Sequence, residues 1–261
     1  DVLSRVIVGS QIALNVGVIS VGVATLVGVV CGVASGYFGK WVDNALMRVV
    51  DAFLSFPAIL LALAIAAALG AGVKAVTIAI AVVTWPYFAR LVRGQVLSVR
   101  ERDFVAASLA LGASNLRIMY RHIWPSVVDP VIVQFSLTIA VSIIVEASLS
   151  FLGLGVEPGT ASWGGMLREG YGVLESAWWA SVFPGLAIAG TVMAFNLFGD
   201  GLRDALDPRL YKDISARRRR KARFRFTPIP KPEFTFVSRT PFGLRSYRAR
   251  TIKTFLNLRA S

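Results

Sequence analysis

Side chains that commonly carry catalysis are scarce in this chain of 261 residues. It has one cysteine, Cys31, and one histidine, His122, so no disulfide can form within the chain, and a zinc site or a histidine-dependent triad has too few members. Gly39 and Lys40 lack the upstream glycine of a phosphate-binding loop, and the patterns HExxH, CxxC and GxSxG do not occur. We therefore expect no catalytic, cofactor-binding or metal-binding residues in this chain.

Two acidic residues, Asp51 and Glu146, lie at the edge of or within long apolar runs, where an ionisable side chain can relay protons. Asp51 has Arg48 one helical turn away as an expected partner. Glu146 lies near the end of a different run. Two acids on separate helices do not make a relay, so we expect both residues to have structural roles.

The segment 93–129 is the region best suited to contact another protein. Residues 101–111 favour a helix, Gly112 suits the position after a helix end, and Ser114 can cap a second helix that runs towards Pro125. Small residues cluster on the first of these helices. Two short helices of this kind can lodge in a groove of a partner protein. A solvated loop, or one held against acidic lipid head groups, is the alternative.

The elements that must position this segment are membrane spans. Hydrophobic residues make up 55% of the chain and charged residues 16%, whereas about 25% of residues are charged in soluble domains. A span needs ~20 apolar residues. The apolar runs predict an all-α integral membrane protein, a polytopic helical bundle with five spans at about 12–36, 52–70, 75–92, 130–149 and 179–199. Buried helices of a soluble core are the alternative, but most of those would carry polar stripes.

Basic residues predict the orientation of the spans. With the C-terminus in the cytoplasm, the cytoplasmic segments 37–51, 93–129 and 200–261, together with Arg90 at a boundary, carry 25 of the 28 Lys and Arg residues. Residue 1 then lies outside, although nothing near it resembles a signal peptide. We therefore expect a sixth span upstream of this sequence.

Two further segments are predicted to pack or to dock. Small residues recur every four positions in the first span and would let another helix approach closely, unless they reflect chance in a segment rich in Gly and Ala. These residues are Ala24, Gly28, Gly32 and Gly36. The outer loop 150–178 is rich in glycine and has a net charge of −2. It suits an outer gate or a dock for a partner, and a packed re-entrant loop is the alternative.

The C-terminal part differs in composition from the rest of the chain. Residues 200–261 hold 17 of the 28 Lys and Arg residues but only 5 of the 15 Asp and Glu residues. We predict that residues 212–261 form a poorly structured basic extension in the cytoplasm, in contact with anionic lipid or with a partner subunit. Because the extension is tethered to the membrane, we expect no nucleic-acid partner.

The segment around Gly112 resembles the EAA loop in the inner-membrane permease subunits of binding-protein-dependent ABC importers. That signature reads Glu-Ala-Ala, three residues, Gly, and a stretch that closes on Leu-Pro. Three positions match its first Ala, its Gly and its Pro, namely Ala107, Gly112 and Pro125. Three positions depart from its Glu, its second Ala and its Leu, namely Ala106, Ser108 and Trp124.

Other segments are similar to the C-type subunit of the dipeptide, oligopeptide and nickel branch of that family. They comprise residues 1–5, 53–57, 146–155, 163–164 and 199–209. The resemblance covers about residues 1–211, and it implies a type I ABC importer permease domain there, followed by the extension 212–261. In that family a further helix precedes the first of these segments.

The resemblance also implies partners and a site. The partners are a second homologous permease subunit, two P-loop ATPase subunits that bind ATP and Mg²⁺, and an extracytoplasmic substrate-binding protein, all at a bacterial inner membrane. The ATPases would dock on the EAA loop through Ala106, Ala107, Ser108, Leu111, Gly112, Ala113 and Pro125. The expected substrates are dipeptides or oligopeptides, with nickel chelates or glutathione-like peptides as alternatives. An ion-coupled secondary transporter is the alternative from another class.

Overall fold

The computed structural model describes residues 1–157, 159–206, 235–240 and 243–248. The chain divides into two compact units, Asp1–Pro208 and Arg209–Ser261, and each is described by itself. The helices of the first unit are α1 (Val2–Phe38), α2 (Lys40–Leu54), α3 (Ala58–Leu69), α4 (Val73–Arg100), α5 (Asp103–Ala110), α6 (Asn115–Ile118), α7 (Trp124–Phe151), α8 (Trp163–Tyr171) and α9 (Trp179–Leu206), with a π-helical turn at Met119–Ile123 between α6 and α7.

The close pair of helices at the centre of the bundle is α1 and α4. A Cβ atom at Gly32 would lie 2.6 Å from the Ala89 carbonyl oxygen, and one at Gly36 would lie 2.7 Å from the Val96 Cβ. Gly28 approaches Phe88 in the same way, and Ala24 is buried on the same face. Small residues at every fourth position therefore let the two backbones touch, which gains van der Waals contact without a hydrophobic driving force. We call this contact the α1–α4 seam.

Among the described residues, four helices or helical stretches are long and apolar enough to cross a membrane, and a bent pair brings the total to as many as five. The four are Val2–Phe38, Val73–Arg100, Asn115–Phe151 and Trp179–Leu206. The predicted helical membrane architecture is thus confirmed, and the helices extend beyond the predicted spans. Backbone hydrogen bonds made within each helix satisfy the polar groups that lipid cannot.

The second predicted span, 52–70, is not one continuous helix. The chain forms α2 and α3 with a bend of 88° between them. Pro57 precedes α3 and has no N–H to donate, and a proline also disfavours helical geometry at the residue before it. Twelve residues of α3 cover roughly 18 Å, which is less than the hydrocarbon thickness. Helix α3 alone is therefore too short to cross the hydrocarbon core.

The second helix of the segment 93–129, which the sequence predicted to run towards Pro125, continues past that residue. Residues Asn115–Phe151 form one helical stretch, in which Pro125 is the second residue of α7, directly after the π-helical turn. Ser114 precedes this helix as predicted, but its side chain makes no capping hydrogen bond.

Polar contacts join the start of α1 to α8. The Trp163 indole donates to the Val6 carbonyl at 2.8 Å, and Arg5 pairs with Glu169 at 2.8 Å. Ser162 caps α8 by accepting from the Gly165 N–H at 3.1 Å. The predicted outer loop thus contains a short helix packed on the bundle.

The second unit contains an antiparallel hairpin of β1 (Thr235–Thr240) and β2 (Gly243–Arg248). Thr235 pairs with Arg248 and Thr240 pairs with Gly243. This part of the extension differs from the poorly structured tail that the sequence predicted. The β-branched and aromatic residues of these two stretches favour strands, whereas the basic composition of the whole tail conceals them. The rest of the extension 212–261 lies outside the described residues.

Candidate functional site

Helix α5 presents its small residues to solvent. Val105 is its one buried side chain, whereas Ala106 and Ala107 are exposed and Ser108 is half-buried. The Ser108 hydroxyl donates to the Phe104 carbonyl at 2.8 Å and lies 3.4 Å from His122 Nε2. The helix is thus held by one apolar anchor, and its small side chains leave an open surface.

Gly112 ends α5 with a backbone that suits glycine. Its φ is +79°, and no atom lies within 4 Å of where a Cβ would be. The Gly112 N–H donates to the Leu109 carbonyl at 2.9 Å, and the Ala113 N–H donates to the Ser108 carbonyl at 3.1 Å. This pair of bonds is the Schellman motif, which closes a helix through a left-handed residue. Gly112 therefore sets the angle between α5 and the helix that follows.

The segment is fixed to the bundle by its own small apolar core. Val105 of α5, Ile118 of α6, Ile123 of the π turn and Val127 of α7 are buried together with residues of α4. The α4 residues are Val92, Val96 and Val99. This core connects α5, α6 and the π turn to α4 and to α7.

Large apolar side chains surround the exposed small residues. Leu111 is 88% exposed, the highest value among the large apolar side chains of the described residues. Other exposed apolar residues of the segment are Phe104, Leu109, Leu116, Tyr120 and Trp124. We call this set, together with Ala106, Ala107 and Gly112, the loop tip. An apolar surface on a well-anchored helical hairpin suits a protein groove, more than the solvated loop that was its alternative.

The inner ends of α1, α2 and α4 meet at a charged cluster that the sequence analysis missed. The Arg93 Nε and Nη2 donate to the two carboxylate oxygens of Asp43 at 2.6 and 2.7 Å, and the Ser35 hydroxyl donates to the same carboxylate. Asp43 lies in the segment 37–51, outside the spans that the sequence predicted. The signal available in the sequence was a pair of opposite charges beside the inner ends of neighbouring spans.

Two further contacts join this cluster to the segment 93–129. The Tyr37 hydroxyl donates to the Asn115 side-chain oxygen at 2.7 Å, and the Arg100 guanidinium donates to the Gly36 carbonyl at 3.4 Å. The inner end of α1 is therefore tied both to α4 and to the start of α6.

The predicted partner of Asp51 was wrong. Asp51 pairs with Arg90 of α4 at 2.7 Å, not with Arg48 of its own helix. The tertiary contact between α2 and α4 brings the two together, and spacing along the chain cannot show it.

Glu146 is buried in α7 and 1% exposed. It accepts a hydrogen bond from the Ser150 hydroxyl at 2.8 Å, and its Oε2 has no partner among the described residues. Polar residues precede it at four-residue spacing on α7, namely Gln134, Thr138 and Ser142. Asp51 and Glu146 lie on different helices at different depths, so the structure does not bring them together.

An open cleft of about 470 Å³ lies beside the turn between α3 and α4. It is lined by that turn, by the start of α4 including Lys74, and by Glu157 and Thr160 of the predicted outer loop. Within the described ranges, no group of three or more His, Cys, Asp or Glu residues could hold a metal ion.

Comparison with known proteins identifies related sequences. A family model described as "binding-protein-dependent transport system inner membrane component" matches residues 28–212. The glutathione transport system permease protein GsiD of Pectobacterium atrosepticum is 45% identical over 210 residues, which cover 80% of this chain and 70% of that protein. The protein of the same name from Escherichia coli O6:K15:H31 is 48% identical over 210 residues, covering 80% and 69%.

Solved structures share the fold. An inward-facing MetNI methionine ABC transporter gives a TM-score of 0.63 at 18% identity, covering 78% of this chain and 97% of the matched chain. An amino acid ABC transporter with histidines gives a TM-score of 0.59 at 18% identity, covering 80% and 99%.

Proposed function

Because the chain belongs to the family of inner membrane components of binding-protein-dependent transport systems, we propose that it forms half of an inward path for small peptides and couples this path to ATPase subunits through the loop tip. The chain itself is a transmembrane permease subunit of an ABC importer. The proposal adds which surface receives the ATPases, which substrates pass and how the chain is oriented.

The observation that carries the coupling role is the contrast within the segment 93–129. Its inner side is packed on α4 and α7, while most apolar side chains of the loop tip are exposed within the part of the chain that the structure describes. A partner that moves the loop tip must therefore move the inner ends of two spans. The expected docking residues are those of the EAA resemblance, with Gly112 as the bend and Leu111 as the most exposed side chain.

Alternating access would follow from two arrangements of the spans that ATP and the loaded binding protein favour to different extents. ATP and Mg²⁺ bound by the partner subunits supply the energy. The residues of this chain receive and transmit a displacement. A second, homologous permease subunit would supply the other half of the path, and two ATPase subunits would engage the two loops.

Small peptides are the substrate class that the relatives support, since GsiD proteins are described as parts of a glutathione transport system. We therefore place a glutathione-like tripeptide beside dipeptides and oligopeptides as first probes, ahead of nickel chelates. The buried polar residues of α7 face the interior of this subunit, so peptide selection rests with the binding protein and with the surface shared by the two permeases.

The C-terminus would lie in the cytoplasm of a bacterium, on the side where most of the basic residues fall. The extension 212–261 would then lie beside the inner leaflet, where each basic residue near an anionic surface contributes about 1 kcal/mol. Contact with anionic lipids or with an ATPase subunit is its proposed role.

The test is to purify the tagged full-length chain in a mild detergent and to identify by mass spectrometry the proteins that remain bound. A second permease and P-loop ATPases should be retained, and a retained binding protein would identify the substrate. Proteoliposomes of that complex should then take up labelled glutathione or a labelled dipeptide only with ATP. Recovery of the chain alone in several detergents, with uptake driven by an ion gradient, would replace this proposal with a secondary transporter.

A further inference from the structure

Helix α2 has one fully buried side chain, Val50. An edge-to-face contact between Phe53 and Trp85 supplies an apolar contact with α4. The polar contacts with α4 are the ion pairs of Asp43 with Arg93 and of Asp51 with Arg90.

The two ion pairs show how α2 crosses α4. From Asp43 to Asp51 the chain advances eight residues, roughly 12 Å along α2, while the partners Arg93 and Arg90 are three residues apart, roughly 4.5 Å along α4. Helix α2 therefore runs across α4 near its inner end and not alongside it. The bend at Pro57 then turns the chain outward into α3.

The inner end of α4 also carries the segment 93–129. Val92, Val96 and Val99 pack into the core of that segment, and Arg93 lies on the same stretch of helix. A displacement of the loop tip thus reaches Arg93 through one continuous helix. From Arg93 it passes to Asp43 through two hydrogen bonds.

We propose that the Asp43–Arg93 pair is the joint that transmits movement of the ATPase-facing loop to the bent α2–α3 span. This inference rests on the proposed function and deepens it. Asp43 and Arg93 are positioning residues, since they act on the span and not on substrate. Ser35 of α1 holds the carboxylate in the plane that meets the guanidinium fork.

The second ion pair provides a matched control. The side chains of Asp43 and Arg93 are 17% and 32% exposed and share two hydrogen bonds, whereas those of Asp51 and Arg90 are 58% and 57% exposed and share one. Exposed pairs in water are screened and hold a helix weakly. Both pairs join the same two helices, so the reversals at Asp51 and Arg90 control for a change of charge between α2 and α4.

The experiment uses the whole complex in proteoliposomes, with labelled glutathione and a labelled dipeptide as probes. Asp43→Arg and Arg93→Asp, singly and together, are compared with the same reversals at Asp51 and Arg90. We expect each single reversal at the joint to lower peptide taken up per ATP hydrolysed by about tenfold, in the range of allosteric coupling. The double reversal should restore most of it, because the Ser35 hydroxyl can accept as well as donate. If single reversals do not accumulate, Asp43→Asn and Arg93→Gln replace them.

A distance measurement separates transmission from mere stability. In a Cys31→Ser background, which removes the sole cysteine of the sequence, nitroxide labels at Leu3→Cys and Trp41→Cys report movement of α2 against the outer end of α1. The distance should change on ATP binding in the parent and stay constant in Arg93→Gln with ATPases still bound. The proposal is wrong if the single reversals at Asp43 and Arg93 leave the peptide taken up per ATP hydrolysed unchanged. It is also wrong if the reversals at Asp51 and Arg90 lower that ratio equally. A parent complex without ATP-driven uptake would instead overturn the proposed function, and the joint with it.

Discussion

The α1–α4 seam and the loop tip both contain small residues, but these residues have different surroundings. Gly28, Gly32 and Gly36 of the seam lie against the backbone of α4 within this chain. Ala106, Ala107 and Gly112 of the loop tip have open space beside them. Small residues allow close approach in both places. The seam is already occupied by this chain, and the loop tip is open to another one.

The largest effect is expected from a substitution that disrupts the α1–α4 seam. Gly32→Leu would place a Cβ 2.6 Å from the Ala89 carbonyl oxygen and 2.7 Å from the Val92 Cβ. Overpacking of this kind costs about 1–3 kcal/mol and sometimes more. We expect the chain to be lost from the membrane, measured by immunoblot and by thermal unfolding in detergent. Gly22→Leu in the same helix has no atom within 4 Å and should accumulate as the parent does; equal loss in both would show that the seam is not the cause.

The second-largest effect is expected from a substitution that alters the loop tip and leaves the fold intact. Gly112→Arg introduces a side chain where φ is +79°, at a cost of about 1–2 kcal/mol for a left-handed residue, into open space. We expect normal insertion and strongly reduced ATP-driven peptide uptake. Gly94→Arg, in ordinary helical geometry with no atom within 4 Å, is the control. Uptake at the parental rate by Gly112→Arg would contradict the coupling role.

A smaller effect should follow from one exposed side chain. Leu111→Ser removes the most exposed large apolar residue of the loop tip. The free energy of unfolding should change by no more than about 0.5 kcal/mol. The amount of ATPase retained on the purified chain should fall by about tenfold, the effect of losing one contact of hot-spot strength. Leu3, at the start of α1, is also an exposed leucine, and Leu3→Ser should leave ATPase retention unchanged. A parallel loss in both variants would point to general destabilisation.

The smallest effect concerns the extension. Removal of residues 212–261 should leave both the seam and the loop tip intact, so uptake is expected to fall only slightly. The deficit should appear in liposomes with anionic lipid and shrink at 0.5 M salt, where charges are screened over a few ångströms. Abolished uptake in neutral liposomes would assign the extension an essential role instead.

Local features of the sequence were sufficient for the family and for the membrane architecture. Long apolar runs depend on composition alone, and the matched signature positions Ala107, Gly112 and Pro125 lie within one short segment. Both predictions are confirmed by the family match and by the helices. The docking residues themselves stay a prediction, since they concern a contact with another chain.

Features that depend on contacts between distant segments were not predictable in this way. Asp51 was assigned to Arg48 because spacing shows only neighbours on one helix, whereas Arg90 reaches it from α4. The break at Pro57 was hidden by an uninterrupted apolar composition. The Asp43–Arg93 pair joins residues 50 positions apart, and no periodicity connects them.

The π-helical turn at Met119–Ile123 determines the rotational setting of the loop. Such a turn contains one residue more than an α-helical turn. Deleting a single residue there would rotate everything on its N-terminal side by about 100° around the helix axis relative to the span. The direction in which Leu116 and the preceding helix α5 face around the axis of α7 is thus set by one inserted residue. Length changes in this turn, more than side-chain changes, would redirect the chain towards differently placed partners.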